Sequence, residues 1–233
     1  MLQAVFFDFD GVIADSEPLH LQAYQSVLQR DDIDLTRDEY YQKYLGYDDA
    51  GLFQALARDR RLKIDSNRID DWIEAKSEII EELLSSDEVL FPGAADCVKR
   101  CASRVPLAVA SGALEPEIAL VLEHAGLREC FHAIASASDG VRGKPAPDLY
   151  LLAMAKLRDL KTVDPASCIA IEDSHWGLEA ARSAGLRCVA VTHTYPAAEL
   201  SGADLIVEQL SDITIPKLED TLRRGNGSYK DTR

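Results

Sequence analysis

At 233 residues the chain is long enough for one large domain, or for a domain that carries a smaller one, and for a sizeable apolar core. Apolar residues make up 47% of it and charged residues 28%, with ordinary amounts of Gly and Pro, which excludes a disordered chain and points to a globular one. Its 40 acids against 25 bases leave a formal net charge of -15. That balance argues against nucleic acid or an anionic membrane as a partner, so an anionic ligand needs a local positive site.

The five cysteines (Cys97, Cys101, Cys130, Cys168, Cys188) form no CxxC and are odd in number, which predicts reduced, buried thiols rather than disulfide staples. The first apolar stretch lacks a basic leader and is interrupted by Asp8 and Asp10, so no cleavable signal is expected. No run of about 20 apolar residues suits a membrane span, and a cytoplasmic protein without a membrane partner is expected. The sequon Asn226-Gly227-Ser228 falls in a polar tail, where so short a pattern arises by chance.

In chain order, the first element is an apolar run, Ala4 to Phe7, that drives into two acids, Asp8 and Asp10. A buried strand that ends in a pair of like charges demands an explanation. From Asp15 to about Glu88 the periodicity is helical throughout. Pro18 sits where a helix begins, and Thr36-Arg37-Asp38-Glu39 reads as a capping box. A helix is predicted over Arg68 to Leu84, in which Ile69, Trp72, Ile73, Ile79, Ile80, Leu83 and Leu84 form one stripe. Lys76 falls near the middle of that stripe, where a core residue belongs. A break is expected near Ser85-Ser86-Asp87.

From Phe91 onward, short apolar runs alternate with amphipathic stretches: residues 105–110, 132–137, 168–172, 188–191 and 203–207. Near-continuous apolar strands separated by helices predict an α/β fold, with a parallel sheet covered on both faces. Gly126 and Gly185 are placed as helix C-caps, and GKPAPD at 143–148 reads as a loop. The expected domains are a discontinuous core of 1–14 with 88–222, an all-helical insertion of 15–87, and a flexible tail of 223–233.

Three strands end in polar residues: Asp8, then Ser111-Gly112, then Glu172-Asp173-Ser174. In open α/β sheets the ligand crevice lies outside the carboxyl ends of the strands, so these groups are expected to converge, joined by Lys144 from a loop. Four carboxylates (Asp8, Asp10, Glu172, Asp173) cannot all stay ionised at close range without compensation. A hard cation such as Mg²⁺ resolves this, bound through one or two carboxylates with water and substrate phosphate. Ser111 and Lys144 add a hydroxyl donor and a fixed positive charge, suited to a phosphoryl group. Taken singly, each of these features has an ordinary structural reading as a turn, an N-cap or a solvated lysine; their joint occurrence is what carries the argument.

DFDGV at 8–12, ASG at 110–112, GKPAPD at 143–148 and IEDS at 171–174 resemble, in order and spacing, the four motifs of the haloacid dehalogenase superfamily. The resemblance covers nearly the whole chain. The helical insertion after the first strand resembles the cap of the phosphoglucomutase and phosphoglycolate phosphatase branch. It implies a Rossmann-like core with an inserted all-helical cap, and a Mg²⁺ enzyme. By that resemblance Asp8 is the nucleophile that forms an aspartyl-phosphate, and Asp10 is the general acid and then base. Mg²⁺ is implied at Asp8, the Asp10 carbonyl and Asp173, with Glu172 beside them; Ser111, Gly112 and Lys144 are implied to hold the phosphoryl group.

His20, Gly46 and Lys76 are candidate substrate-contacting cap residues, while Trp72 and Trp176 read as packing residues. Mutases of this branch carry an arginine shortly after the glycine of a cap loop, to grip a second phosphate. Here Leu45-Gly46-Tyr47-Asp48-Asp49 is acidic at that place, and Arg58, Arg60 and Arg61 read as a solvated face. The expected function is therefore a Mg²⁺-dependent phosphatase of a small phosphorylated metabolite, a sugar or polyol phosphate. The alternative is a β-phosphoglucomutase-like phosphosugar mutase. Asp10 disfavours dehalogenation and phosphonate hydrolysis, and chain length disfavours a signalling receiver. A monomer or small homo-oligomer is expected.

Overall fold

Six apolar runs form one parallel sheet, and the chain order of the elements is that of an α/β protein interrupted once. After β1 (Ala4–Phe7) come α1 (Glu17–Leu28), α2 (Arg37–Glu39), α3 (Asp49–Asp59) and α4 (Ser66–Ser86). There follow α5 (Ala94–Ala102), β2 (Leu107–Ala110), α6 (Glu115–His124), β3 (Phe131–Ala135) and α7 (Asp148–Arg158). The chain ends with β4 (Cys168–Glu172), α8 (His175–Ser183), β5 (Arg187–Val191), β6 (Leu205–Val207) and α9 (Ile215–Gly225). The computed structural model describes residues 1–45, 47–86, 89–158 and 163–225. It divides into two units, Met1–Asp15 with Val89–Arg233, and Ser16–Glu88.

In the first unit the strand order is β3-β2-β1-β4-β5-β6, and every pairing is parallel. The chain builds outward from β1 to β3 and then returns to place β4 on the other side of β1. The topological switch point therefore lies between β1 and β4, where the crevice of such a sheet opens. All four residues of β1 are buried. Because successive strand side chains point to opposite faces, both faces of the sheet are covered. A core of Phe6, Ala108, Tyr150, Met154, Ala170 and Leu178 packs along it. The outgoing and returning chain segments pair with each other: Asp15 N–H donates to the Val89 carbonyl at 2.7 Å, and Phe91 N–H to that of Ile13 at 3.0 Å.

All five cysteines are free, and four are buried as small hydrophobes; Cys130 is instead partly exposed. Residues 223–225, expected in the tail, form the last turn of α9, where Arg223 and Arg224 lie at the negative end of the helix dipole. The sequon lies outside the described residues. No helix among the described residues is long and apolar enough to cross a membrane.

The second unit is helical, and its own core joins Tyr24, Val27 and Leu28 of α1 to Phe53 and Leu56 of α3 and Trp72 of α4. Each fully buried side chain of this size contributes about 1.5–3 kcal/mol. The Phe53 ring lies edge-on to Tyr24 at 5.4 Å, and Trp72 lies 5.3 Å from Phe53. Pro18 stands in the first turn of α1, and the Thr36 hydroxyl accepts from Glu39 N–H at 3.2 Å. The stripe on α4 is buried at Trp72, Lys76, Ile80 and Leu84.

Candidate active site

The site is built at the switch point by register. Phe7 of β1 pairs with Ile171 of β4, and Asp8 N–H donates to the Ile171 carbonyl at 3.0 Å. The next residues out are therefore Asp8 on one strand and Glu172-Asp173 on its neighbour. Asp8, Glu172 and Asp173 are all buried, and one ligand atom from each lies within 4.8 Å of the others. Lys144 reaches this group from its loop, 2.8 Å from Asp8 Oδ1 and 2.6 Å from Glu172 Oε1. Phe9 N–H also donates to Asp8 Oδ1, at 2.7 Å, so one carboxylate oxygen of Asp8 is held from two sides.

Glu172 has no exposed surface at all. Its Oε1 accepts from Tyr150 Oη at 2.6 Å as well as from Lys144, while Oε2 accepts from the Ser174 hydroxyl at 3.4 Å. Burial and the Asp8 charge push the Glu172 carboxyl up to about 8, against the Lys144 ammonium. The same two causes push Asp173 up to about 6, with the Thr194 hydroxyl opposing. For Lys144, burial disfavours the ammonium, but Asp8 and Glu172 outweigh it and raise its pKa. Three carboxylates and one lysine leave the cluster short of positive charge. Hard oxygen donors at this spacing fit a divalent cation such as Mg²⁺.

Ser111 stands one strand over, at the end of β2, and is buried. Its Oγ accepts from Ala113 N–H at 3.1 Å, which leaves the hydroxyl hydrogen to donate elsewhere. Gly112 is exposed. Asp10 is half-buried in the turn that follows β1. This turn is wound on the Phe9 carbonyl, which accepts from the N–H groups of Ile13 and Ala14. Gly11 has φ +77°, and a side chain there would overlap the Asp173 carboxylate, so both backbone and space require glycine.

His20 and Lys76 belong to the second unit, where they meet Asp49. The Lys76 side chain is 2% exposed and lies 2.9 Å from Asp49 Oδ1; Tyr24 Oη donates to the same oxygen at 2.5 Å. Burial pulls the His20 imidazole down to about 3, with the Lys76 ammonium adding and Asp49 opposing. Asp48 accepts from Gly51 N–H at 2.7 Å as the N-cap of α3. The two acids of the cap loop thus have separate partners, and Lys76 is neutralised by Asp49. Arg60 pairs with Glu39, and Arg58 with Asp59 at 3.2 Å. Gly46 lies outside the described residues. Trp72 packs as expected, with its Nε1 donating to Asp31 at 2.7 Å, but Trp176 is 48% exposed, its ring tilted against His175 and edge-on to Tyr195.

Sequence reasoning missed four residues here. Tyr150, on a buried face of α7, gave no signal of its own. Gly177 did: a glycine inside a helix costs about 1 kcal/mol against alanine, and a Cβ at this one would fall on the Glu172 carboxylate. Thr194 and His193 follow β5, in Thr192-His193-Thr194, and the rule about strand ends that singled out Ser111 applies to them equally. The Thr194 hydroxyl borders the same space beside Gly11 as the Asp173 carboxylate, and His193 Nδ1 lies 3.0 Å from the Gly11 carbonyl.

Comparison with known proteins agrees with this arrangement. The family model described as haloacid dehalogenase-like hydrolase matches residues 2–185. The β-phosphoglucomutase of Bacillus subtilis strain 168 is 30% identical, over 94% of this chain and 95% of that protein. The fructose-1-phosphate phosphatase YqaB of Escherichia coli strain K12 is 31% identical, over 80% of this chain and 95% of that one. The crystal structure of CbbY from Rhodobacter sphaeroides in complex with phosphate superimposes with a TM-score of 0.83 at 30% identity, covering 94% of this chain and all of that one (100%).

Proposed function

The chain belongs to the haloacid dehalogenase-like hydrolases, and from that membership we propose that it is a Mg²⁺-dependent phosphatase of a small phosphorylated sugar or polyol. The observation that carries this reading is the bridge made by Lys144 between Asp8 and Glu172, which sets a buried carboxylate beside a fixed positive charge at the sheet's switch point. Relatives named as a sugar phosphatase and a sugar-phosphate mutase support the substrate class.

In this reading a carboxylate oxygen of Asp8 attacks phosphorus and the bond to the ester oxygen breaks. The departing alkoxide takes its proton from the Asp10 carboxyl. Asp10, now a carboxylate, removes a proton from water, whose oxygen attacks phosphorus; the bond to Asp8 breaks and inorganic phosphate leaves. Ser111 and the Gly112 backbone orient the phosphoryl oxygens, and Lys144 offsets their charge. Asp8, Glu172, Asp173 and the Asp10 carbonyl would hold Mg²⁺, which when bound neutralises charge developing on the phosphoryl oxygens.

His20, Gly46 and Lys76 are proposed to select the substrate. The chemistry of the second unit favours hydroxyls over a second dianion, because Asp49 cancels the Lys76 charge and burial keeps His20 neutral. A phosphosugar mutase is the second reading, and its support is the Bacillus subtilis relative. The test is a panel of sugar and polyol monophosphates, assayed with and without Mg²⁺. Release of inorganic phosphate that needs the metal and is abolished in Asp8→Asn is expected. Metal-independent turnover, or full activity in that variant, refutes the mechanism; an isomerised sugar phosphate in place of free phosphate establishes the mutase.

A further inference from the structure

We propose that His193 is a positioning residue that holds the Asp10 turn through the Gly11 carbonyl. The acceptor at 3.0 Å is a carbonyl, so Nδ1 carries the proton and donates. The imidazole also stacks on Phe91, with ring centroids 4.0 Å apart and planes inclined by 19°. Phe91 is itself tied to the same turn, since its N–H donates to the Ile13 carbonyl at 3.0 Å. One side chain thus clamps the turn on one side and the returning chain segment on the other.

The turn needs such a clamp at this place. Gly11, next to Asp10, has φ +77° and no side chain, and a glycine peptide unit is otherwise free to rotate. Its N–H is held by the Ala14 carbonyl at 2.9 Å, and its carbonyl is held by His193. The clamp stands on the sheet: Thr192 N–H donates to the Val207 carbonyl of β6 at 3.1 Å.

The inference rests on the reading of Asp10 as general acid, and the chemistry of the leaving group separates the two. For kcat/KM, only steps up to release of the alcohol count. A sugar monophosphate needs its alkoxide protonated in those steps, whereas p-nitrophenyl phosphate releases a stable phenolate that does not. His193→Phe keeps the stack on Phe91 and removes the donor; His193→Asn restores an N–H near the place of Nδ1. In His193→Phe, kcat/KM for the sugar phosphate is expected to fall about 10-fold or more, and that for p-nitrophenyl phosphate clearly less, because only the sugar ester also needs the Asp10 proton. His193→Asn should recover most of the loss, with unchanged circular dichroism in both variants. An unchanged sugar phosphate rate in His193→Phe, an equal loss on both esters, or no recovery in His193→Asn overturns the proposal. Asp10→Asn is measured alongside. If it lacks the same selectivity, the general-acid reading fails; if it has it and His193→Phe does not, only the present inference fails.

Discussion

Gly177 lies so close to the Glu172 carboxylate that any side chain there occupies the same space. Glycine to alanine inside a helix ordinarily gains about 1 kcal/mol. At Gly177 the sign should reverse: urea melts of Gly177→Ala are expected to show lost stability, and phosphatase assays at least a tenfold drop in rate, because Glu172 must leave Lys144 and Tyr150. A gain in stability with full activity would show that Glu172 has room to move. His20 gives a second prediction at this scale. Its folded pKa of about 3 lies below the ordinary 6.5, so the unfolded chain binds the extra proton between those values. Stability is therefore fullest above pH 6.5 and declines as pH falls towards 3. His20→Gln should flatten the fall in melting temperature between pH 6.5 and 4, relative to the parent. The charges of Lys76 and Asp49 act on His20, Asp49 is bonded to Tyr24, and all three remain in both proteins. A parallel decline in the two would exclude the histidine as its source.

Among the elements, α4 carries a residue that its own pattern forbids. Lys76 occupies the buried stripe of Trp72, Ile80 and Leu84, and it is tolerable there because α3 begins with Asp49 facing it. The two partners are not equivalent. Lys76 is 2% exposed and Asp49 21%, so removing the acid takes a counter-charge from a buried ammonium, while removing the lysine leaves an acid that reaches water. Asp49→Ala should cost about 3 kcal/mol, and also deprives Tyr24 of its acceptor. Lys76→Met should cost clearly less, and the two losses should not add in the double variant. Equal costs in denaturant melts, adding in full, would mean that the pair is not coupled. At this scale the helix and its stripe could be read from periodicity. The charge in the stripe was visible too, but its partner was not, since nothing local links position 49 to position 76.

For the whole molecule, the balance of charge decides the most. A chain of net charge -15 that buries Asp8, Glu172 and Asp173 together gathers repulsion at one point. A cation bound there is expected to stabilise the folded state by mass action, about 2.7 kcal/mol at a hundredfold excess over its Kd. Adding Mg²⁺ to metal-stripped protein should raise the melting temperature by several degrees, and Asp173→Asn should remove most of that rise. A rise of the same size in the variant would place the cation elsewhere.

The six strands and their parallel class were legible because burial on both faces demands unbroken apolar runs, and those runs survive in one dimension: AVFF, LAVA and CIAIE are also β1, β2 and β4. The motifs that end them were legible for the same reason, as polar residues where apolar ones stop. That was enough to place the chain in its family. Strand order was decided only in three dimensions: β4 returns to the side of β1 rather than following β3, and this brings Asp8 against Glu172. Tertiary structure also decided which partners hold the site. Tyr150 meets Glu172 across 22 positions, and His193 meets Gly11 across 182. A hydrogen bond between residues so far apart leaves no periodicity in the chain, because its energy depends on angstrom-scale geometry that only the packed sheet supplies.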